Sequence, residues 1–317
     1  MSPSEPSLAA LPNPVLRYFL ATRPPFLTVT LYACLIGLAT AWYGALTFAP
    51  LKAFATLLLA LVAHAGVNVL NDYYDALNGT DDINTGRLFP YTGGSRFIQN
   101  GVLSKTETAR FGMGLFGVTM LAGVWLASVS GPGLFVIGIA GLVIGWAYSA
   151  PPLKLNSRGF GELCVVAGFA LMVIGTDFVQ RAAWTALTVI AAMSYALLVT
   201  NILYINQFPD RQADATAGKR HWVVRLAPEQ ARWGYVLLAV LAHGWLIGAV
   251  LARALPWPTL AALASIIPAT VAARGLFQHV AEPRLLAPAI RATIGAALLH
   301  GLLLAVGLVA ARRFIAG

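Results

Sequence analysis

The sequence predicts an all-α membrane protein, a bundle of about nine transmembrane helices, and three observations support this fold class. Of its 317 residues, 58% are hydrophobic and only 10% are charged, whereas soluble domains carry roughly 25% charged residues. The mean hydropathy is +0.74. The apolar residues are grouped in segments of about 20, the length of a helix that crosses the hydrocarbon core of a bilayer. We therefore expect one transmembrane domain over residues 1–317 rather than a soluble protein.

Nine segments satisfy this length criterion. They are residues 24–45, 51–74, 107–129, 132–149, 161–180, 183–206, 231–252, 256–280 and 288–311. Cys34 and Cys164 both fall inside predicted spans, so we expect packing residues and neither a disulfide nor a cysteine-based metal site. The proline-rich start, MSPSEPSLAALPNP, lacks a charged and then apolar leader with a cleavage site. It predicts a flexible tail over residues 1–15 and not a signal peptide.

The basic residues are distributed unevenly. The formal net charge is +9, which by itself would also suit a nucleic-acid-binding protein. With nine spans, however, 16 of the 21 Lys and Arg residues lie on one side of the membrane, and such an excess marks the cytoplasmic side. We therefore expect a cytoplasmic N-terminus, a C-terminus on the other side, the lipid bilayer as a partner, and no nucleic acid.

Acidic residues follow the second predicted span in the stretch NVLNDYYDALNGTDD, residues 68–82. Asn68, Asp72 and Asp75 are spaced i, i+4, i+7, so a helix that continues through them presents all three on one face. His64 lies one turn earlier on the same face. Six of the 12 Asp and Glu residues lie here and in one other stretch: Asp72, Asp75, Asp81, Asp82, Asp210 and Asp214.

The second acidic stretch, NQFPDRQAD, follows the sixth predicted span. Asn206, Asp210 and Asp214 again share one helical face, and Pro209 is expected to kink or end the helix. Asn206 and Asp210 each lie 138 residues after Asn68 and Asp72. This equal separation suggests a duplicated unit whose two halves face each other across a shared site.

The two acidic stretches together favour a metal site. A single acid at a helix end often does no more than meet water at the headgroups, but ionisable groups at membrane depth are costly and usually functional. Unpaired carboxylates on facing helices repel one another, and a divalent cation removes that repulsion. Oxygen ligands without Cys or His in the motif suit Mg²⁺, which proteins hold with carboxylates, waters and substrate phosphates.

Three loops on the same side carry cations. In GRLFPYTGGSRFIQNG, the backbone of Gly93 and Gly94 can offer N–H groups to an anion beside Arg96. The polar candidates in the three loops are Arg96; Tyr148, Lys154 and Arg158; and Lys219, Arg220 and Arg225. Each alone equally fits a charge that sets membrane topology. Cations beside metal-binding carboxylates suit a diphosphate ligand.

These motifs stand in the order NDYYD at 71–75, YSAPPLK at 148–154 and DRQAD at 210–214, and with them the chain resembles the UbiA superfamily of intramembrane prenyltransferases. NDYYDALNGTD, TGGSRFIQNG and GKRHWVVRL are similar to the branch that prenylates 1,4-dihydroxy-2-naphthoate in menaquinone synthesis. The common first motif has a third acid where this chain has Gly79, and Asp81 lies two residues further on. Asp72 and Asp75 therefore rank before Asp81 and Asp82 as metal ligands.

The resemblance implies a bundle around a cavity open to the membrane, with the aspartates at its cytoplasmic end under a cap of loops, in a bacterial inner membrane. It implies that the Asn and Asp residues of both motifs, including Asn206, are catalytic. It also implies that Mg²⁺ is held by Asn68, Asp72, Asp75, Asp210 and Asp214, with Asp81 as a further candidate. It implies that the diphosphate of a polyprenyl donor is bound by Arg96, Tyr148, Lys154, Lys219 and Arg225. Tyr148, Tyr73 and Tyr74 are also candidates to shield an allylic cation.

Several alternatives stay open on the sequence. Within the superfamily, the acceptor is 1,4-dihydroxy-2-naphthoate or another ring, namely 4-hydroxybenzoate, homogentisate, chlorophyllide or haem. Outside it, an ion-coupled transporter also suits inverted repeats and intramembrane acids, although it does not explain basic loops on one side only. A membrane phosphotransferase would need Asp-Gly and Ala-Arg ahead of further aspartates on one helix, a pattern that this chain lacks. His64 or an aspartate is a candidate base.

Overall fold

A computed structural model of the chain describes residues 4–44 and 47–315, and over these residues the regular structure is entirely helical. Residues 1–3, 45–46 and 316–317, and the side chains of residues 313–315, lie outside this description, so the first residues of the predicted tail and the end of the first predicted span are not covered. The helices in chain order are α1 (Pro14–Ala21), α2 (Pro24–Tyr43), α3 (Pro50–Asn78), α4 (Thr80–Ile83), α5 (Lys105–Ser130), α6 (Gly133–Ser149), α7 (Gly161–Arg181), α8 (Ala186–Thr216), α9 (Trp222–Arg225), α10 (Pro228–Leu251), α11 (Ile266–His279) and α12 (Ala287–Ile315).

The helices confirm an all-α integral membrane protein. In the described ranges, eight helical segments are long and apolar enough to cross a membrane. α6, at the position of the fourth predicted span, has 17 residues and is shorter than these eight. The eighth predicted span is not one regular α-helix, because a 3₁₀ segment, Trp257–Ser265, runs directly into α11.

The centre of the bundle is an apolar core shared by α2, α7, α8, α10 and α12. Ile36, Val173 and Leu304 are fully buried in it. α2 and α7 approach closely at Gly37, where a Cβ atom would lie 2.5 Å from the carbonyl oxygen of Val173. Because lipid tails are as apolar as the side chains, such close backbone contacts are a main source of attraction between membrane helices.

A buried ion pair within α7 also hydrogen-bonds to α2, at the end of the bundle away from the acidic motifs. Asp177 is 1% exposed, accepts a hydrogen bond from the Thr40 hydroxyl at 2.9 Å, and pairs with Arg181 at 3.0 Å. The Arg181 guanidinium also donates to the Thr40 carbonyl oxygen at 3.1 Å. All of these groups bond within the protein, so this cluster fixes the packing of the two helices.

α3 and α8 are longer than the spans that the sequence predicts. α3 has 29 residues and ends at Gly79, whose φ is +80°. α8 has 31 residues and continues through Pro209 to Thr216. Of the two expected effects of Pro209, the helix does not end there, and a kink stays a prediction. Proline removes one intrahelical hydrogen bond, but Phe208 and Pro209 are both buried, and packing on both sides keeps the segment helical.

The N-terminal segment is bonded to a distant loop, which differs from the flexible tail expected over residues 1–15. The Glu5 carboxylate accepts a hydrogen bond from Arg87 at 2.7 Å and another from Asn100 at 3.1 Å. Leu11 is buried in a small cluster that includes Phe97 and Leu103. Because these partners lie about 80 to 95 residues further along the chain, no local pattern in the sequence points to them.

Candidate active site

The structure brings the two acidic stretches together at one end of the bundle. Asp75 is on α3 and Asp214 is on α8, and the Lys219 ammonium lies 3.0 Å from a carboxylate oxygen of each. Burial lowers the pKa of Lys219, but these two carboxylates more than offset this effect and raise the pKa above its ordinary value. Lys219 therefore stays charged and bridges the two motifs.

A loop of residues 84–96, the bridging loop, also joins both motifs. The backbone N–H of Gly93 donates to Asp210 at 3.2 Å, and the N–H of Ser95 donates to both oxygens of Asp72 at 3.3 Å. The Asn84 side chain adds a hydrogen bond to Asp210 at 2.6 Å. The sequence predicts that this Gly-containing loop offers N–H groups to an anion, and the anions that receive them here are the protein's own carboxylates.

Gly94 brings the bridging loop closest to the carboxylates. Its φ is +72°, a conformation that favours glycine. A Cβ atom at this position would lie 2.5 Å from an oxygen of Asp81 and 3.0 Å from an oxygen of Asp72. The backbone at Gly94 therefore lies against both side chains with no room for a larger residue.

Negative charge accumulates at this end of the bundle, and Asp81 shows the effect most clearly. Burial raises the pKa of its carboxyl to about 8, and the neighbouring carboxylates of Asp75 and Asp72 add to the shift. Its Oδ2 atom is buried and has no hydrogen-bond partner among the described residues, and the same holds for Oδ1 of Asn206. Unpartnered oxygens beside crowded carboxylates are the ligands that a hard cation needs.

These oxygens fit Mg²⁺ better than a metal that requires a complete protein cage. Over the described parts of the chain, no three His, Cys, Asp or Glu side chains are arranged to hold a metal ion by themselves. Mg²⁺ usually takes one or two carboxylates and completes its shell with waters and substrate phosphates. The donor set therefore suits an ion that is shared between the protein and a phosphate-bearing substrate.

A cavity of about 610 Å³ extends from the acidic residues into the apolar interior between α3, α5, α6, α7 and α8. Its polar end is lined by Asn68, Asp75, Asp81, Asn206, Asp210, Asp214 and Lys219. Phe116, Leu142 and Met172 are among the residues of its apolar part. One end of the cavity therefore suits a charged group and the remainder suits a hydrocarbon chain.

Only some of the predicted diphosphate ligands line this cavity. Tyr148 and Lys219 do, whereas Arg96, Lys154 and Arg225 are not among the lining residues. Arg96 donates to the carbonyl oxygen of Asp81 at 2.5 Å, and Arg225 donates to the carbonyl oxygen of Arg158 at 2.7 Å. Both guanidinium groups bond to backbone, so in this structure they support loops around the site.

The acidic candidates also differ in position. Asp72 is buried beneath the bridging loop and is not a lining residue, although it lies beside Gly94 and Ser95. Asp81 lines the cavity, and Asp82 is exposed. The two acids that the sequence ranks after Asp72 and Asp75 thus differ in position, because the one-turn helix α4 turns Asp81 inwards and Asp82 outwards.

The polar lining residues that were not singled out as site residues include Arg23, Asn71, Gln207 and His221. The Arg23 guanidinium lies 4.6 Å from the ring centre of Phe26, and its charge acts on Asp72. His221 bonds to Asp214 at 3.0 Å through Nε2. The other two, Asn71 and Gln207, directly neighbour residues of the motifs. A signal was available for Asn71, Gln207 and His221, since all three belong to the quoted motif stretches, whereas Arg23 was counted only as a topology charge.

His64 lines the cavity, and its Nδ1 atom lies 2.7 Å from the Thr30 hydroxyl. Its ring also packs edge-on against Phe169. These contacts explain its position by packing and hydrogen bonding. Its role as a base stays a prediction.

Comparison with known proteins gives concordant findings. The sequence model of the UbiA prenyltransferase family matches residues 30–285. The 1,4-dihydroxy-2-naphthoate octaprenyltransferase of Mycobacterium tuberculosis is 30% identical over 258 residues, 80% of this chain and 83% of that protein. The enzyme of the same name from Bacillus subtilis is 26% identical over 292 residues, 90% of each chain. A UbiA homologue from Archaeoglobus fulgidus bound to DMAPP and Mg²⁺ has a similar fold, with a TM-score of 0.56, 16% identity, and coverage of 92% of this chain and 99% of that chain.

Proposed function

Because the chain belongs to the UbiA prenyltransferase family, we propose that it transfers a polyprenyl group from an allylic diphosphate to 1,4-dihydroxy-2-naphthoate. One observation carries the proposal: a cavity with carboxylates and Lys219 at one end and apolar walls along the remainder. An isoprenoid diphosphate has the same division into a charged end and a hydrocarbon chain. The choice of acceptor is supported by the names of the bacterial relatives.

The polar end would hold Mg²⁺ through the oxygens of Asn68, Asp72, Asp75, Asp81, Asp210 and Asp214. When bound, the ion neutralises negative charge on the departing diphosphate, which makes an otherwise poor leaving group effective. The unpartnered oxygens of Asp81 and Asn206 support this assignment. Asn206 would complete the donor set from the α8 side of the cavity.

Lys219 would donate hydrogen bonds to the diphosphate, because its ammonium already lies between the two motifs and lines the cavity. The Tyr148 hydroxyl lines the same region and is the second candidate donor. Charge-assisted hydrogen bonds of this kind fix the orientation of the diphosphate, so that the prenyl carbon that reacts faces the acceptor. Contacts from Arg96, Lys154 and Arg225 to the diphosphate require movement of the loops that carry them.

The apolar walls would protect the reacting carbon. As the carbon–oxygen bond to diphosphate breaks, positive charge develops on the allylic carbon, and water must be excluded from it. The rings of Phe169 and Tyr148 line the cavity and would stabilise that charge. No water molecule or polar side chain is needed beside the allylic carbon at this stage.

Arg23 would bind the carboxylate of the acceptor, because its guanidinium lines the cavity and stacks on Phe26 without pairing to a carboxylate within hydrogen-bond distance in the described residues. A bond then forms between the allylic carbon and the ring. The electron pair of the ring–carboxylate bond returns to the ring as carbon dioxide leaves, which restores aromaticity.

We further propose that the polar end of the cavity faces the cytoplasm of a bacterial cell, in its inner membrane. The uneven distribution of Lys and Arg residues supports this orientation. Labelling of single cysteines placed in the bridging loop and in the loop after α7, with a reagent that does not cross membranes, tests it in intact cells. Labelling of the bridging loop from outside would contradict the orientation.

A product assay by mass spectrometry tests the function. Purified protein in detergent is supplied with Mg²⁺, a polyprenyl diphosphate, and 1,4-dihydroxy-2-naphthoate or 4-hydroxybenzoate in parallel, with EDTA as the control. A decarboxylated, prenylated naphthalenediol that forms only with the metal supports the proposal. Prenylation of hydroxybenzoate alone would keep the family and reject the acceptor, and no product with either ring would reject both acceptors.

A further inference from the structure

We infer that Gln207 recognises a ring hydroxyl of the aromatic acceptor, and that Glu162 positions Gln207 for this contact; the inference rests on the function proposed above. Gln207 lies within the second acidic stretch but is not one of its proposed metal ligands, and Glu162 lies outside both stretches. Gln207 is on α8, directly after Asn206, and it lines the cavity while only 7% exposed. Glu162 is in the first turn of α7.

The hydrogen bond between the two residues fixes the orientation of the Gln207 amide. Nε2 of Gln207 donates to Oε1 of Glu162 at 3.0 Å. An ionised carboxylate only accepts hydrogen bonds, so the NH₂ group of the amide must face it. The carbonyl oxygen of Gln207 is thereby left as a free acceptor. It is buried and has no hydrogen-bond partner among the residues that the structure describes.

A buried acceptor without a partner is costly, and the cost is removed when a ligand supplies a donor. The fully ionised diphosphate has no donor, and the isoprenoid chain has no polar group at all. Glu162 also keeps a second buried oxygen without a hydrogen-bond partner among the described residues. The acceptor ring, with two hydroxyl groups, is the substrate that offers a hydrogen.

The neighbouring wall has space for a planar ring. Cys164 and Gly168 follow Glu162 on α7 and line the cavity with Leu203 of α8. A Cβ atom added at Gly168 would have no atom within 4 Å, so open space lies beside this residue. A ring against Leu203 would lie one helical turn from Gln207 on α8.

One of the two hydroxyls suits this contact better. In 1,4-dihydroxy-2-naphthoate the 1-hydroxyl is adjacent to the carboxylate and bonds to it internally, so the 4-hydroxyl is the free donor. A hydrogen bond from this hydroxyl to the carbonyl oxygen of Gln207 would hold the ring in one orientation while the new carbon–carbon bond forms. No proton is transferred in this step.

The experiment compares kcat/KM for 1,4-dihydroxy-2-naphthoate and for 1-hydroxy-2-naphthoate, which lacks the 4-hydroxyl. Sites built to bind a hydroxyl reject analogues without it strongly, and we expect a wild-type preference of at least about tenfold. In Gln207→Leu the preference should fall to within about threefold, while the KM of the prenyl diphosphate and the Mg²⁺ concentration for half-maximal rate stay unchanged. Glu162→Gln, which frees the amide to rotate, should reduce the preference part of the way.

The matched control is Gln180→Leu. Gln180 also hydrogen-bonds through its side-chain amide, to the backbone of Ala49 at the other end of α7. Its removal should leave the preference between the two acceptors unchanged. A wild-type enzyme without a preference, or a preference that survives in Gln207→Leu, would overturn the inference while leaving the proposed function intact. A tenfold rise in the Mg²⁺ requirement of Gln207→Leu with an unchanged preference would show instead that Gln207 is a metal ligand. If the wild type prenylates neither naphthoate, both the inference and the proposed function are wrong.

Discussion

Replacing Gly94 by alanine tests whether the bridging loop positions the carboxylates. The new Cβ atom would lie 2.5 Å from the Asp81 carboxylate, which would have to move by about 0.9 Å to reach the ordinary contact distance of 3.4 Å. A displacement of about 1 Å in a reacting site lowers the rate roughly 100-fold, which corresponds to about 2.7 kcal/mol in the activation free energy. We therefore expect kcat/KM of Gly94→Ala to fall by about two orders of magnitude.

The control is Gly101→Ala in the following turn. Gly101 also has a positive φ, +66°, but a Cβ atom there would meet nothing within 4 Å. Both variants incur about 1 kcal/mol of backbone strain from the left-handed conformation, and Gly94→Ala adds the contact with Asp81, so its thermal unfolding in detergent should shift at least as far as that of Gly101→Ala. Only Gly94→Ala should lose activity and require more Mg²⁺. Equal kcat/KM values for the two variants would refute the proposed contact between the loop and the carboxylates.

Three further predictions address the site and its frame. Asp72→Asn and Asp210→Asn should each lower turnover by about 1,000-fold with the protein still inserted, as measured by product mass spectrometry; an active variant would contradict a role as metal ligand. Lys219→Met leaves facing carboxylates without their cation, so the donor KM should rise about tenfold, the loss of one charge-assisted hydrogen bond, and Mg²⁺ should raise the melting temperature more than in the wild type. Asp177→Ala leaves Arg181 without its partner far from the site, so unfolding should become easier by about 3 kcal/mol while both KM values stay the same; a changed KM would show that the two ends of the bundle are coupled.

The sequence predicts which side chains of an acidic stretch share a helix face, because this prediction needs only residues that are close together in the chain. Spacings of three or four residues place Asn68, Asp72 and Asp75 on one helix face, and the structure retains that helix to Asn78. The positions of the loop cations are a different matter. Arg96 and Lys154 both have positive φ values, +66° and +43°. The backbone conformation at such a residue decides whether its side chain faces the cavity. The order of charged residues in the sequence does not reveal that conformation.

The outcome at Pro209 has a similar origin. Local rules predict that proline ends a helix, but in α8 the packing of buried neighbours is stronger than the loss of one hydrogen bond. The contacts of Glu5 and Asn84 were missed for the opposite reason, because each joins residues that are about 80 to 130 apart in the chain. Hydrogen bonds between single polar residues that are far apart in the chain produce no periodic pattern in one sequence.

The lengths of α3 and α8 affect how the site exchanges ions and reaction products with water and with lipid. At about 1.5 Å per residue, their 29 and 31 residues extend about 44 and 46 Å, whereas the hydrocarbon core is only about 30 Å thick. Both helices are longer than the hydrocarbon core is thick, and the helix ends that extend beyond it carry the acidic residues. Ions and pyrophosphate would then exchange with the aqueous phase, while the prenylated ring would stay at the depth of the acyl chains. The ions and pyrophosphate then do not have to cross the bilayer, and the apolar product does not have to enter water.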